Sequence, residues 1–187
     1  IEAFLVERAG DVGKKVHTAR SRNDQVLVAL RLWLKHQLQT LIDVDDAIAR
    51  ALIERAKTTA HVALPGYTHL QRAMPTSLQT FFLGHAESFL DSRDAAAAAR
   101  ALVDKTPLGT GAGFGVSLAL DRDGVADDLG FDGVVVSPQA AQNSRGKLEL
   151  FALSALHLAT STSNGWPGTS RSTSPPHSPS PGCQIGR

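Results

Sequence analysis

The sequence has one cysteine, few aromatic residues and hardly any excess of charge of either sign. The single cysteine, Cys183, excludes an intrachain disulfide and any cysteine cluster that could hold zinc or an iron–sulfur centre. Such sparing use of cysteine is typical of reducing compartments, so we expect a cytoplasmic protein. The formal net charge of +1 provides no electrostatic footprint for nucleic acid or for an anionic membrane surface. We therefore expect neither as a partner.

Long apolar runs are also missing. No run reaches the roughly 18 residues that a membrane-spanning helix needs, and the N-terminus lacks the basic-then-apolar pattern of a signal peptide. Aromatic residues make up only 5% of the chain, whereas strands are rich in aromatic and β-branched residues. Alanine and leucine, which favour helices, dominate instead. The composition therefore predicts an all-α fold.

A long amphipathic segment extends from Asn23 to about Ala60. Apolar residues recur there at steps of three and four, without an internal glycine or proline: Val26, Leu30, Trp33, Leu34, Leu38, Leu41, Val44, Ile48, Leu52 and Ile53. As one helix, this segment would be roughly 55 Å long at about 1.5 Å per residue. So long a helix must be covered by other long helices, from this chain or from partner subunits. The pattern predicts a long-helix bundle that assembles into an oligomer.

The remaining segments predict further helices and their connections. Residues 1–8 form the end of a helix, and residues 11–16 a connecting loop. A second long helix is predicted for residues 75–106, after an exposed connection at 67–74. The glycine-rich run 109–115 lacks the preceding strand that a dinucleotide-binding loop requires, so we interpret it as a flexible crossing between helices.

Two short helix starts are predicted beyond the glycine-rich run. Asp121 is placed to cap a helix that ends near Gly130. Asn143 or Ser144 is placed to cap another helix, which begins at Leu148.

The composition changes sharply after about Ala159. Residues 160–187 carry seven serines, five of the nine prolines and no acidic residue. Such a segment cannot bury enough apolar surface to order itself, which predicts a disordered tail. A reading-frame shift is the alternative hypothesis. Codons allowed for 165–176, read from the third base, include Leu-Ala-Trp-Asp-Leu-Ala-Leu-Tyr-Leu-Thr-Pro, which would continue the preceding helix; an intact frame on resequencing would exclude the shift.

One stretch is unusually dense in polar groups. Residues 17–25 have the sequence His-Thr-Ala-Arg-Ser-Arg-Asn-Asp-Gln and lie directly before the long amphipathic segment. Two guanidinium groups, a hydroxyl, an amide and the free N–H groups of a helix start would bind a carboxylate well. The alternative is an ordinary solvated helix start, capped by Asn23 or Asp24, with its arginines in water. Residue types alone favour this alternative, because charged helix starts are common.

A second polar cluster lies in the exposed connection 67–74, which contains Thr68, His69, Gln71 and Arg72. A loop between two rigid helices is a usual place for binding and catalytic groups. An imidazole can exchange a proton near neutral pH. The chain has seven histidines, however, and an arbitrary one is more often a surface or capping group.

Three stretches together carry a resemblance to a known family. Residues 17–25 resemble the signature of the argininosuccinate lyases, members of the fumarase/aspartase superfamily. Residues 65–71 (Pro-Gly-Tyr-Thr-His-Leu-Gln) and 141–147 (Ala-Gln-Asn-Ser-Arg-Gly-Lys) are similar to two further regions of that family. The resemblance, which covers residues 1 to about 158, implies cleavage of argininosuccinate to arginine and fumarate by β-elimination in arginine biosynthesis. It also implies that no metal or organic cofactor takes part, and that the enzyme is a homotetramer whose active sites each draw on several subunits.

The resemblance further implies roles for individual residues. It assigns His69 to proton transfer, and Asn23 and Thr68 to direct contact with the substrate. The other implied substrate-binding residues are Ser21, Arg20, Arg22, Gln71 and Arg145. The two arginines of the signature could instead form an ion pair with Asp24 or with a neighbouring helix. Arg145 could instead be a cation at a helix start.

The resemblance also implies that the chain is a fragment. The family's glycine-serine-serine loop, with its catalytic serine, would follow the point where the Ser/Pro tail begins, and most of an N-terminal domain would precede Ile1. We therefore divide the chain into a remnant of that domain (1–16), a partial central helical-bundle domain (17–159) and the tail (160–187), and we expect it to be inactive alone. The alternatives are another superfamily lyase, such as adenylosuccinate lyase or aspartase, and a related non-catalytic helical protein used only for association.

Overall fold

The computed structural model describes residues 2–69 and 71–172. Its helices are α1 (Glu2–Ala9), α2 (Asp11–Lys14), α3 (Arg22–Thr58), α4 (Leu78–Val103), α5 (Arg122–Asp128), α6 (Pro138–Asn143) and α7 (Lys147–Ser172), with a 3₁₀ turn at Lys15–His17. Its strands are β1 (Ala63–Thr68) and β2 (Gln71–Ser77). The mainly helical, long-helix fold is thus confirmed. None of the described helices is long and apolar enough to cross a membrane.

The long amphipathic helix is predicted almost to the residue, because α3 begins and ends within two residues of the expected bounds. The predicted loop at 11–16 is wrong, since α2 and the 3₁₀ turn occupy it. Gly13 allows this compact arrangement, because a Cβ atom there would lie 2.7 Å from the backbone of Leu5. Only glycine permits α1 and α2 to approach so closely.

Helix α7 extends beyond the boundary predicted from composition. It was expected to end near Ala159, but it continues to Ser172. Residues 160–164 contain neither glycine nor proline, so nothing in them stops the helix at that boundary. Residues 173–187 lie outside the described residues, and the frame-shift hypothesis stays a prediction.

The chain divides into two compact units. Unit 1 comprises Ile1–Asp43 and Arg93–His157, and unit 2 comprises Val44–Ser92 and Leu158–Arg187. In unit 1, parts of α3, α4 and α7 form one core through small and aliphatic side chains: Leu34, Leu38, Ala96, Ala99, Val103, Ala152 and Ala155. The alanine tract of α4 therefore serves packing, because its short side chains let helices approach closely.

A second core cluster in unit 1 fixes the segment after α4. Its buried members are Val28, Leu108, Ala126 and Phe131. The predicted cap of α5 is confirmed, since Asp121 accepts a hydrogen bond from the Gly124 amide at 2.8 Å. Arg31 of α3 donates to the carbonyl of Lys105 and, at 3.0 Å, to Ser144 Oγ. Lys105 lies in the connection before α5, and Ser144 lies in the connection after α6. The two contacts therefore hold both connections against α3.

Unit 2 contains a β-hairpin that the sequence did not predict. The connection at 67–74 is exposed as expected, but most of it is paired in β1 and β2. The register shifts between Pro65 and Tyr67, where Gly66 faces the extra residue of a β-bulge. A Cβ atom on Gly66 would lie 2.4 Å from the carbonyl oxygen of Met74. Proline and glycine both disfavour strands, so the residues of this segment do not predict a hairpin. The structure shows it by the pairing of the two strands.

Replacing Asp45 with asparagine is expected to raise the free energy of unfolding at neutral pH. Asp45 of α3 is only 2% exposed, and its Oδ2 has no hydrogen-bond partner among the described residues. Burial raises the pKa of this carboxyl group, because desolvation disfavours the charged form. The stability that Asp45 contributes is complete below the carboxyl pKa of the unfolded chain. It is lost as the pH rises through the higher pKa of the folded state.

Urea unfolding at acidic and at neutral pH measures this effect. The gain from Asp45→Asn should be present at neutral pH and absent at acidic pH. Asp46→Asn is the matched control. Asp46 is the next residue along α3, and its carboxylate pairs with Arg50 at 2.5 Å on the surface. That change should cost no more than about 1 kcal/mol. A gain from Asp45→Asn that is equal at both pH values would contradict the assignment of a buried, unpaired charge.

Candidate functional site

The polar stretch 17–25 forms the capped start of α3. Ser21 Oγ accepts a hydrogen bond from the main-chain N–H of Asn23 at 3.2 Å, and the main-chain N–H of Ser21 donates to Asp24 Oδ1 at 2.9 Å. This reciprocal arrangement is a capping box in which an aspartate takes the place usually held by glutamate. The cap is therefore Ser21 rather than Asn23 or Asp24. The prediction of a capped helix start is right, but its choice of residue is wrong.

The second oxygen of the Asp24 carboxylate holds the glycine-rich run. Asp24 Oδ2 accepts from the Gly109 amide at 3.1 Å and from the Gly111 amide at 2.9 Å. Both glycines have left-handed φ angles, +84° and +62°, which let the two N–H groups converge on one oxygen. Asp24 itself is fully buried. The run 109–115 is thus a crossing between helices, as predicted, but one that is anchored to the signature stretch.

The arginines of the signature remain available to a ligand. Asp24 does not pair with them: it is fully buried, and its two oxygens accept three backbone N–H groups. Arg20 and Arg22 are both exposed, and neither guanidinium has a hydrogen bond or ion pair within the described part of the chain. Arg20 also lines a cavity of about 210 Å³ with Gly109 and Arg122. The ion pair with Asp24 considered as an alternative is therefore wrong.

Arg145 meets the signature stretch directly. Its Nη2 atom donates to the Asn23 carbonyl oxygen at 3.1 Å and lies 3.3 Å from Asn23 Oδ1. Its Nε atom donates to Gln142 Oε1 at 3.1 Å. Arg145 lies in the connection between α6 and α7. These acceptors hold its guanidinium group, so it is not an unpaired cation at a helix start. Asn23 Oδ1 accepts from Arg145, and Asn23 Nδ2 donates one hydrogen to Ser21 Oγ at 3.5 Å, so the second hydrogen on Nδ2 is the donor left for a ligand.

The candidate residues of the hairpin lie at its tip in unit 2. Thr68 and Gln71 are Cα partners across the hairpin, and His69 follows Thr68 at its tip. Thr68, His69 and Gln71 are all exposed. His69 has a φ of 50°, in the left-handed region that two-residue hairpin loops favour. For a residue with a Cβ atom this conformation costs on the order of 1–3 kcal/mol, and such strain is concentrated at functional sites.

The structure therefore groups the predicted site residues in two sets. Unit 1 brings together Arg20, Ser21, Arg22, Asn23 and Arg145, and unit 2 brings together Thr68, His69 and Gln71. The first set offers hydrogen-bond donors and positive charge, which suit a carboxylate. The second offers a titratable imidazole beside a hydroxyl and an amide. No group of three or more His, Cys, Asp or Glu side chains suited to a metal ion is found in residues 2–69 and 71–172.

Sequence reasoning missed the residues that support the first set, namely Gly109, Gly111 and Gln142. The sequence shows the two glycines only as part of a run interpreted as flexible. Their neighbours in the sequence do not indicate that their N–H groups bind the Asp24 carboxylate. Gln142 lies within the similar stretch 141–147 but carries no charge that would single it out.

Comparison with known proteins finds similar sequences. A family model described as "Lyase" matches residues 2–161. The chain is 51% identical over 160 residues to the argininosuccinate lyase of Stenotrophomonas maltophilia, a match that covers 86% of this chain and 37% of the relative. It is 52% identical over 160 residues to the argininosuccinate lyase of Xanthomonas axonopodis pv. citri, with the same coverage. The chain thus spans little more than a third of the length of these curated relatives.

Solved structures are also similar. A crystal structure of EDDS lyase in complex with formate superposes with a TM-score of 0.85 at 25% sequence identity. The match covers 91% of this chain and 34% of that one. A variant of EDDS lyase with bound fumarate gives the same TM-score and identity.

Replacing Asp24 with asparagine is expected to lower the free energy of unfolding by roughly 2–3 kcal/mol, because hydrogen bonds to a charged acceptor contribute about 1.5–3 kcal/mol each. The amide would turn an NH₂ group toward backbone N–H donors on one side or the other. Asp43→Asn is the control, since Asp43 is exposed on the same helix and accepts a hydrogen bond from the Gln39 side chain at 2.8 Å. Urea unfolding of both variants measures the difference, and equal, small losses would contradict the anchoring role of Asp24.

Proposed function

The chain belongs to the lyase family, and we propose that it is part of an enzyme that cleaves argininosuccinate to arginine and fumarate. The observation that carries this proposal is the contact of Arg145 with Asn23, which joins two separate stretches that resemble argininosuccinate lyases. Identity of 51% to a protein of that name supports the choice of substrate. The finer parts of the proposal are a role in arginine biosynthesis, a cytoplasmic location and assembly as a homotetramer.

The chemistry of the reaction matches the groups in unit 1. β-Elimination removes a weakly acidic proton next to a carboxylate, so negative charge accumulates on that carboxylate in the transition state. Preorganised donors that meet this charge lower the barrier. We assign this task to Asn23 Nδ2, to the Ser21 hydroxyl and to the guanidinium groups of Arg20, Arg22 and Arg145.

We assign proton transfer to His69, with Thr68 and Gln71 in contact with the substrate. The departing guanidino nitrogen has to be protonated, and the carbon acid has to lose a proton. An imidazole can serve either step near neutral pH. The exposed, left-handed position of His69 supports this role, because packing does not explain why a side chain is held there.

Exposed apolar side chains on the long helices support assembly with further copies. Trp33 is 59% exposed on α3, and Leu150 and Leu153 are 65% and 62% exposed on α7. Apolar faces of this kind on long helices mark surfaces that other helices cover. In the proposed tetramer, residues of the signature and of the hairpin tip reach one site from different subunits.

A chimeric enzyme tests the proposed activity. Residues 2–161 of this chain replace the matching segment of the Stenotrophomonas maltophilia argininosuccinate lyase, which supplies the remaining length. Fumarate release from argininosuccinate is followed by ultraviolet absorbance, beside the 187-residue chain alone. We expect activity in the chimera and none in the chain alone. A chimera that is helical by circular dichroism and tetrameric by sedimentation, yet releases no fumarate, would overturn the proposal.

In that chimera, His69→Ala is expected to lower kcat at least about 100-fold, the usual contribution of a general acid or base. The substitution removes no core contact, so the unfolding midpoint should not fall. His61→Ala is the control, because His61 is exposed just before the hairpin. Near-normal turnover of the His69 variant would remove this residue from the mechanism.

A further inference from the structure

Gln142 occupies a position that none of the residue roles above explains. It lies near the C-terminal end of α6, beside the fully buried Ala141. Its Oε1 atom accepts from Arg145 Nε at 3.1 Å. Its Nε2 atom is buried and has no hydrogen-bond partner among the described residues. The oxygen of the Gln142 amide therefore holds Arg145, while its buried nitrogen makes no hydrogen bond within the described residues. Such an unsatisfied donor lowers stability, so packing alone does not explain a glutamine here.

The glycine-rich run lies close against the Gln142 side chain at Gly113. Gly113 has a φ of +123°, and a Cβ atom there would lie 3.1 Å from Gln142 Cγ. A larger residue at this point would therefore push the glutamine side chain away. The same run is held at Gly109 and Gly111 by Asp24.

These contacts form a closed chain within unit 1. It leads from Asp24 through the glycine-rich run to Gln142, then through Arg145 back to Asn23 at the start of α3. A guanidinium group is planar and rigid, so fixing its Nε and Nη2 atoms fixes its whole orientation. An arginine held only at Nη2 could pivot about that contact. The acceptor on Gln142 removes this freedom.

We propose that Gln142 is a positioning residue, which holds Arg145 so that Arg145 occupies the oxygen of Asn23 and turns the Asn23 Nδ2 donor toward the substrate carboxylate. The proposal rests on the proposed function, since it assigns Gln142 to the same site. Gln142 does not touch the substrate; it acts through Arg145. Without the Gln142 acceptor, the Asn23 side-chain amide is held only by its long 3.5 Å contact with Ser21 Oγ. It can then rotate more easily, and an amide that presents its oxygen repels a carboxylate.

Three variants separate this role from simple packing. Gln142→Met keeps the length of the side chain and removes the acceptor. Gln142→Glu keeps an oxygen for Arg145 Nε and removes the unsatisfied donor. Gln139→Met is the matched control, because Gln139 is exposed on the same helix.

The first measurement uses the 187-residue chain and needs no activity. The Nε–H signal of Arg145 is followed by NMR as it exchanges with solvent. Exchange should be at least about tenfold faster in Gln142→Met, which corresponds to the loss of one modest hydrogen bond. It should be unchanged in Gln142→Glu and Gln139→Met. Equal exchange in all variants would overturn the proposal, whatever the activity of the enzyme.

The second measurement uses the chimeric enzyme. Gln142→Met should lower kcat/KM for argininosuccinate about tenfold, because the Asn23 donor that meets the charge on the carboxylate is no longer held in place. Gln142→Glu should restore kcat/KM to near the unsubstituted value. Equal loss in the methionine and glutamate variants would overturn the positioning role, and so would faster exchange without a change in kcat/KM. An inactive unsubstituted chimera would count against the proposed function alone, since the exchange measurement still decides the contact of Gln142 with Arg145.

Discussion

The buried carboxylate of Asp24 is the contact on which the candidate site in unit 1 depends. One of its oxygens closes the capping box of α3, and the other binds two amides of a run more than 80 residues away in the sequence. A buried charge is tolerated only when hydrogen bonds replace its hydration, and three backbone donors do so here. The start of α3 and the glycine-rich run therefore have to fold together. The position of Gln142, and through it that of Arg145, follows from this coupling.

The hairpin tip of unit 2 is held by a different device. The bulge opposite Gly66 brings the two strands so close that no side chain fits there. A bulge strengthens the local twist of a hairpin, and His69 at the tip of this one has a left-handed conformation. The energy of strand pairing thus maintains local strain at the residue to which we assign proton transfer. A rigid scaffold with strain confined to its tip is a usual arrangement for a group that has to be aimed.

The sequence predicted those elements that depend on local patterns. Helix α3 has an uninterrupted apolar period, and Asp121 is a good cap, so both were found. The hairpin was missed because Pro65, Gly66 and Pro75 disfavour strands, while the stabilising term that overrides them is pairing between two short segments, which neither segment shows by itself. The resemblance singled out residues 17–25 as a candidate site, but it did not show which residues support them. The partners of Asp24 and Arg145 are set by tertiary structure, which no spacing in the sequence reveals.

The site separates its negative charge from its positive charges, and this separation makes the arginines useful. An exposed aspartate two residues beyond Arg22 would pair with a guanidinium group and compete with any carboxylate ligand. Burial of Asp24 against backbone N–H groups removes that competitor while it keeps the helix capped. Most exposed polar groups at the start of α3 are then donors, which in the proposed function meet a carboxylate without displacing an internal ion pair. The run of charges in residues 17–25 thus has two physically distinct parts: one anion bound by backbone N–H groups, and several exposed cations and amides to which we assign the ligand.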